Sequence, residues 1–124
     1  MYTGIVLTPE SQSVLLNMFQ DKIPNNWEKI AHHMTINLNS IQDGPLANVP
    51  INNDFVDLIA TDYDMDERVL AVKVNTEIPS TNTTKHITVA VNKTAGGKPF
   101  HSNQLMNWKP ISPIHLKGKI EEVK

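Results

Sequence analysis

The chain has 124 residues, 40% of them apolar, a formal net charge of −2 and no cysteine. This length suffices for one domain with a real core, and the lack of cysteine excludes disulfides, thiolate metal sites and a cysteine nucleophile. Neither a bilayer-spanning apolar run nor a signal peptide is recognisable, so we expect one domain over residues 1–124, in the cytoplasm and without membrane contact.

Charge is unevenly distributed along the sequence. Residues 1–84 have a balance of −7, whereas residues 85–124 have a balance of +5. The chain as a whole is not basic, which argues against a general nucleic-acid coat and against binding of duplex DNA. A local positive field near His86 is one reading of the asymmetry, and mixing of the two halves in space is the other.

The first part of the chain predicts a strand, a helix and a second strand. Residues 2–7 resemble a buried strand, and the Thr-Pro-Glu run at residues 8–10 is a typical helix start. We expect the helix to end before Pro24. Its apolar face contains Val14, Leu15, Met18 and Phe19. Residues 27–30 then lead into a strand that contains His33.

The middle of the chain predicts a loop followed by strands. Residues 39–53 are rich in Asn, Asp, Gly and Pro, which is typical of a loop. Residues 55–62 and 68–78 predict two strands joined by a solvated acidic turn around residues 64–66. A turn at residues 79–83 precedes another strand at residues 85–92.

The last quarter predicts a loop, a short helix and a final strand. Residues 96–99 form a flexible Gly-Gly-Lys-Pro loop, and residues 114–123 form the strand, with Gly118 as a bulge. Ser102 is expected to cap the short helix, which contains Leu105, Met106 and Trp108. The order β-α-β followed mostly by strands indicates an α+β domain with a small mixed or antiparallel sheet.

Two matching His-x-Thr tripeptides, at residues 33–35 and 86–88, are the most informative part of the sequence. In a strand, residues i and i+2 point to the same face, so each tripeptide presents an imidazole beside a hydroxyl. Near neutral pH one imidazole can act as a base and the other as an acid, and two hydroxyls can hold a phosphate. This set is sufficient for phosphodiester chemistry without a metal or other cofactor.

The tripeptides alone are a weak signal, because roughly one chain in eight of this composition would contain such a pair by chance. Two structural histidines, hydrogen-bonded within or beside the core, are the alternative. The apolar residues that follow each threonine favour a strand setting for both tripeptides.

In this setting the pair resembles the two-histidine (2H) phosphoesterase superfamily, whose signature is two His-x-Thr/Ser motifs on central strands. That superfamily includes RNA 2′,3′-cyclic phosphodiesterases, domains of tRNA repair enzymes and viral enzymes that degrade oligonucleotide messengers. The resemblance spans most of the chain. It implies two central His-x-Thr strands with one or two helices outside, His33 and His86 as the acid/base pair, and Thr35 and Thr88 as phosphate-binding residues.

Two features depart from the usual pattern. His33 and His86 are only 53 positions apart, which implies a compact member with fewer peripheral helices. His32 precedes the first motif, but only His33 has a hydroxyl residue two positions later, and strand alternation predicts that His32 faces the other side.

Other residues are candidates for substrate contacts. Lys93, Lys98 and His101 flank the Gly-Gly loop and could meet a phosphate or a base edge, although a solvated hairpin loop is the slightly favoured reading. Tyr2 could stack on a nucleobase or simply pack. Trp27 and Trp108 are expected in the core.

The sequence offers no good metal site. The acidic run at residues 62–67 lacks the glycine and the final glutamate of a calcium loop. His101 and His115 have no carboxylate at a metal-ligand spacing, which argues against zinc. We therefore expect no metal and no cofactor.

The sequence thus predicts a metal-independent phosphodiesterase that hydrolyses an RNA-type or nucleotide phosphodiester, in particular a 2′,3′-cyclic phosphate end. The expected partner is a nucleotide, an oligonucleotide or an RNA end. Two alternatives stay open: a viral-type hydrolase of cyclic or 2′-5′ oligonucleotide messengers, and a non-catalytic RNA- or nucleotide-binding module. The motifs do not assign which histidine is the base and which the acid.

Overall fold

The computed structural model describes residues 2–38 and 54–123, and the expected loop at residues 39–53 lies outside this range. The described residues form one α-helix, two short 3-10 helices and seven strands. They are β1 (Tyr2–Leu7), α1 (Pro9–Phe19), β2 (Glu28–Lys29), β3 (His33–Asn37), β4 (Val56–Met65), β5 (Val69–Asn75), β6 (His86–Val91), the 3-10 helices Lys93–Ala95 and Pro99–Gln104, and β7 (Lys109–Val123). No helix among them is long and apolar enough to cross a membrane.

The strands form a closed sheet rather than an open one. The order is β6-β3-β1-β7-β4-β5, and β5 pairs back onto β6 to complete a six-stranded barrel. The short β2 extends the line of β3 along β6. Every strand pairing in the described residues is antiparallel, which decides between the two expected forms of the sheet. Closure pairs the strands that would otherwise expose an open edge.

The two His-x-Thr strands are neighbours in this barrel, joined at Met34 and Ile87. Met34, Ile36, Ile87 and Val89 belong to the main core cluster. Because side chains alternate along a strand, the histidines and threonines of both motifs point to the opposite face. The pairing of Met34 with Ile87 therefore places the apolar residues of both strands in the core and the four motif residues on the side of the candidate site.

Helix α1 begins as predicted but buries a narrower stripe. The Thr8 side chain accepts a hydrogen bond from the Ser11 backbone N–H at 3.1 Å, and Pro9 occupies the first helical position. The buried residues are Ser11, Leu15 and Phe19, spaced four apart. The expected face was wrong in part: Val14 is 45% exposed and Met18 is 57% exposed. The helix is turned so that Leu16, rather than these two residues, packs against the core beside the buried line.

The sequence indicated that Asp64 belongs to a solvated acidic turn, and this prediction was wrong. Asp64 lies within β4 and is buried. One carboxylate oxygen accepts from the Met65 backbone N–H and the other from the Asn107 backbone N–H, both at 2.7 Å. Two amide donors stabilise the buried carboxylate, which ties β4 to the segment before β7.

The end of the chain also differs from expectation. The 3-10 helix Pro99–Gln104 contains Ser102 and ends before Leu105, so no helix capped by Ser102 forms over the following residues. Strand β7 begins at Lys109 rather than at residue 114. The β4–β7 register shifts between Ala60, which pairs with Ile114, and Asp62, which pairs with Pro110. Pro113 lies within this irregular stretch, where a residue without an N–H is tolerated.

Gly118 is not a bulge. It pairs in register with Leu7 of β1, and on the other side with Val56 of β4. A Cβ at this position would lie 2.6 Å from the Val6 carbonyl oxygen. The glycine is therefore required for the close approach of β1 and β7, and the bulge prediction was wrong.

Replacement of Asp64 by alanine should lower the free energy of unfolding by about 2–3 kcal/mol, because two backbone amide donors lose their hydrogen bonds to a buried carboxylate. Urea denaturation measures the change. Asp57→Ala is the matched control on the same strand, since Asp57 forms only an exposed ion pair with Lys117 and should cost less than about 1 kcal/mol. Equal losses in the two variants would contradict the role given to Asp64.

Candidate active site

The first motif sits beside an irregularity in the strand line formed by β2 and β3. From Lys29 to Met34 this line advances five positions, while its partner β6 advances three, from Ala90 to Ile87. Ala31 takes up part of the excess with a φ of 45°, the only left-handed non-glycine residue in the described chain. Such a conformation is unfavourable for alanine and is held here by the surrounding pairing.

This irregularity places His32 beside His33. The two Nδ1 atoms are 3.0 Å apart, so one of them must carry a proton for a hydrogen bond to form. The prediction that His32 faces the other side of the strand was wrong. Strand alternation does not apply to His32, because it lies between the left-handed Ala31 and the first residue of β3.

His33 is held by side chains. The Tyr2 hydroxyl lies 3.2 Å from its Nδ1, and the two ring centroids are 4.5 Å apart. Burial, followed by the electrostatic effects of His32 and His86, lowers the pKa of His33 from 6.5 to about 4. With Nδ1 engaged by Tyr2 and His32, the Nε2 atom is the one left for a substrate.

His86 is held by the backbone of its own segment. Its Nδ1 lies 2.8 Å from the Thr84 carbonyl oxygen, which can only accept, so Nδ1 carries the proton and donates it. In the neutral ring Nε2 is then a free acceptor. Burial lowers the pKa of His86, and the hydrogen bond to Thr84 opposes part of this shift.

The two threonines differ in their surroundings. The Thr88 hydroxyl is 2.8 Å from the Ser102 hydroxyl and 3.3 Å from the Pro99 carbonyl oxygen. The Thr35 hydroxyl has no hydrogen-bond partner among the residues that the structure describes. Thr88 is therefore fixed by the 3-10 helix Pro99–Gln104, whereas Thr35 is free to orient toward a ligand.

All four motif residues line one pocket with a volume of about 340 Å³. The lining residues are Tyr2, His33, Thr35, Leu38, Asn82, His86, Thr88, Pro99, Phe100 and Asn103. None is a lysine, an arginine, an aspartate or a glutamate. The positive field suggested by the basic end of the sequence does not arise from the walls of this pocket.

Of the four candidate substrate contacts outside the motifs, Tyr2 lines the pocket and the other three do not. Lys93 forms an ion pair with Glu28. His101 accepts a hydrogen bond from the Lys98 backbone N–H at 3.0 Å through Nδ1. Within residues 2–38 and 54–123, no three His, Asp or Glu side chains converge as metal ligands.

Sequence reasoning missed several residues of the pocket wall. Leu38, Asn82, Phe100 and Asn103 come from turns and from a 3-10 helix, where no periodic pattern marks a shared face. Phe100 was the signal that the sequence offered. It directly follows a Gly-Gly-Lys-Pro run, where burial is not expected, and an exposed aromatic residue in a loop can indicate a binding surface.

One comparison with known proteins identifies a family for this chain. A family model described as the fungal tRNA ligase phosphodiesterase domain matches residues 14–124, which include both His-x-Thr motifs. The chain belongs to this family. The tRNA ligase phosphodiesterase domains are part of the 2H phosphoesterase superfamily, so the resemblance drawn from the two tripeptides is confirmed.

Membership of this phosphodiesterase family indicates phosphodiesterase activity in general terms. The searches of curated proteins and of solved structures returned no significant match. For this phosphodiesterase-family chain, the individual roles of His33, His86, Thr35 and Thr88 are therefore proposals based on the geometry described above.

Replacement of His32 by glutamine should raise the pKa of His33, because the variant removes the electrostatic effect of the adjacent ring. The pKa should stay below 6.5, since burial is the largest cause of the shift and is retained. NMR titration of the histidine rings measures the change. His115→Gln on the exposed face of β7 is the control and should leave His33 unaffected; an unchanged His33 pKa in the His32 variant would contradict the assigned contact.

Proposed function

We propose that this domain is a metal-independent phosphodiesterase that opens the 2′,3′-cyclic phosphate of a nucleotide or an RNA end to a 2′-phosphomonoester. The observation that carries the proposal is the shared pocket: two imidazoles and two hydroxyls, on adjacent strands, line one cavity. Family membership supports phosphodiester chemistry on RNA ends.

His86 is the general base. Its Nδ1–H donates to the Thr84 carbonyl, which leaves Nε2 as an acceptor for a proton from water. The lowered pKa keeps this nitrogen unprotonated at neutral pH. The water oxygen attacks phosphorus as its proton moves to His86 Nε2.

His33 is the general acid. It donates the Nε2 proton to the 3′-oxygen as the bond between phosphorus and that oxygen breaks. In the ligand-free pocket the pKa of His33 is about 4, but an anionic phosphodiester between the rings favours the protonated form and raises it. Tyr2 holds Nδ1 throughout, so the transferred proton comes from Nε2.

The threonines hold the phosphate. Thr35 has an unengaged hydroxyl, and Thr88 can turn its proton toward a phosphoryl oxygen while Ser102 donates to its oxygen. Fixed donors of this kind act on the charge that develops in the transition state. The pocket offers no further charge to neutralise the phosphate, so the hydroxyls and the protonated His33 carry this task.

Hydrolysis should be visible in a substrate panel after EDTA treatment. The panel contains 2′,3′-cyclic nucleotides, RNA with a cyclic phosphate end, 2′-5′ oligoadenylate, and cyclic di- and trinucleotides. We expect 2′-phosphomonoester products from the first two, measured by chromatography. Cleavage of the other members alone would favour the messenger hydrolase, absence of all products would favour a binding module, and a need for added metal would refute the proposed chemistry.

The pH profile should separate the two histidines. Activity should fall at low pH as His86 becomes protonated, below its usual pKa near 6.5, and at high pH as bound His33 loses its proton. His86→Ala should lose the acid limb and His33→Ala the basic limb, each with a loss of about 10²–10⁴-fold in kcat. His115→Ala should retain both limbs.

Circular dichroism shows whether each variant is folded. Wild-type activity in a folded His33 or His86 variant would overturn the mechanism. Loss of the basic limb in His86→Ala and of the acid limb in His33→Ala would show that the base and acid roles are reversed.

A further inference from the structure

The 3-10 helix Pro99–Gln104 presents an exposed pair of side chains to the pocket. Phe100 and Asn103 both line it, and residues three apart in a 3-10 helix lie above one another on one face. Phe100 is 56% exposed, although it is a large aromatic residue. The hydrogen bond between Ser102 and Thr88 fixes this helix beside the second motif.

A second pair lies on the side of the first motif. Leu38 directly follows β3 and is 69% exposed, and Asn82 belongs to the turn before β6. This turn is bound to β3, because the Ser80 hydroxyl donates to the Thr35 carbonyl at 2.7 Å and the Thr81 N–H donates to the Ile36 carbonyl at 2.9 Å. The two pairs are thus attached to the two catalytic strands.

The chemistry of these four side chains matches a planar ring with apolar faces and a polar edge. Neither the Asn82 nor the Asn103 amide has a hydrogen-bond partner among the residues described by the structure. An amide can bond to the adjacent donor and acceptor of adenine, N6 and N7. An exposed aromatic ring can stack on a base, which contributes about 1–3 kcal/mol.

The described lining residues of the pocket favour recognition of the base, because they include no lysine or arginine. Nucleic-acid affinity usually comes from lysine and arginine contacts to several phosphates, and the pocket lining contains neither residue type. Apart from the two histidines, a substrate with one phosphodiester group meets no cationic side chain among the described lining residues. The part of the nucleotide that lies beyond the phosphate is then a further source of affinity and the main source of selectivity.

We propose that Phe100, Asn103, Leu38 and Asn82 form a nucleobase subsite, with Phe100 as the stacking platform and the amides as edge contacts. The substrate is then a nucleoside 2′,3′-cyclic phosphate, or an RNA end whose terminal base occupies the subsite, with adenine as the preferred base. This inference rests on the proposed function, because it assigns the nucleotide attached to the reacting phosphate.

The experiment compares adenosine 2′,3′-cyclic phosphate with a methyl riboside 2′,3′-cyclic phosphate, which lacks the base. Phe100→Ala should raise KM for the adenosine substrate about tenfold, with little change in kcat, and leave the base-free substrate unaffected. Phe100→Trp should restore the wild-type KM. Asn103→Ala should reduce the preference for adenosine over the uridine analogue.

Phe55→Ala is the matched control, since Phe55 is 57% exposed but does not line this pocket. It should leave both substrates unaffected. A Phe100→Ala variant with wild-type KM for the adenosine substrate, or with equal losses on both substrates, would overturn the subsite.

Binding of adenosine 2′-monophosphate, measured by calorimetry, separates this inference from the proposed function. If the wild-type protein hydrolyses neither substrate but binds the monophosphate in a Phe100-dependent manner, the proposed function fails and the subsite stands. Hydrolysis of both substrates with the same KM in wild type and Phe100→Ala overturns the subsite and leaves the proposed function standing. Failure of both hydrolysis and binding overturns both.

Discussion

Strand β6 constrains the rest of the structure, because all six of its side chains are buried. It closes the barrel by pairing with β5 on one side and with β2 and β3 on the other. Its Ile87 and Val89 enter the core, so His86 and Thr88 must find polar partners on the opposite face. The Thr84 carbonyl and the Ser102 hydroxyl supply those partners, and they also fix the orientation of both side chains toward the pocket.

The two motifs look alike in sequence but are supported in different ways. His86 is oriented by the backbone two residues earlier, within its own segment. His33 depends on Tyr2 from a neighbouring strand and on His32, which is brought close by the left-handed Ala31. A carbonyl can only accept, whereas a hydroxyl can accept or donate. The surroundings therefore fix the proton position on one ring and let the other ring adapt.

The sequence was a good guide wherever a local rule decides the structure. The Thr8 cap, the first strand and the pairing of imidazole with hydroxyl at i and i+2 all follow from short-range geometry. The position of His32 and the burial of Asp64 depend on strand register and on a backbone donor 43 positions away, which no local pattern encodes. Leu38, Asn82, Phe100 and Asn103 come together in the pocket wall because the barrel closes. No periodic pattern in the sequence could predict this.

The described residues that line the pocket include no lysine or arginine, and this affects the release of product in the proposed reaction. A cyclic phosphodiester carries one negative charge, whereas a phosphomonoester carries nearly two at neutral pH. Among the lining residues that the structure describes, no lysine or arginine compensates the added charge. In the proposed mechanism the single positive charge on the histidines only passes from His33 to His86, so it does not grow as the reaction proceeds. Under the proposed mechanism, the chemical step itself would therefore promote product release.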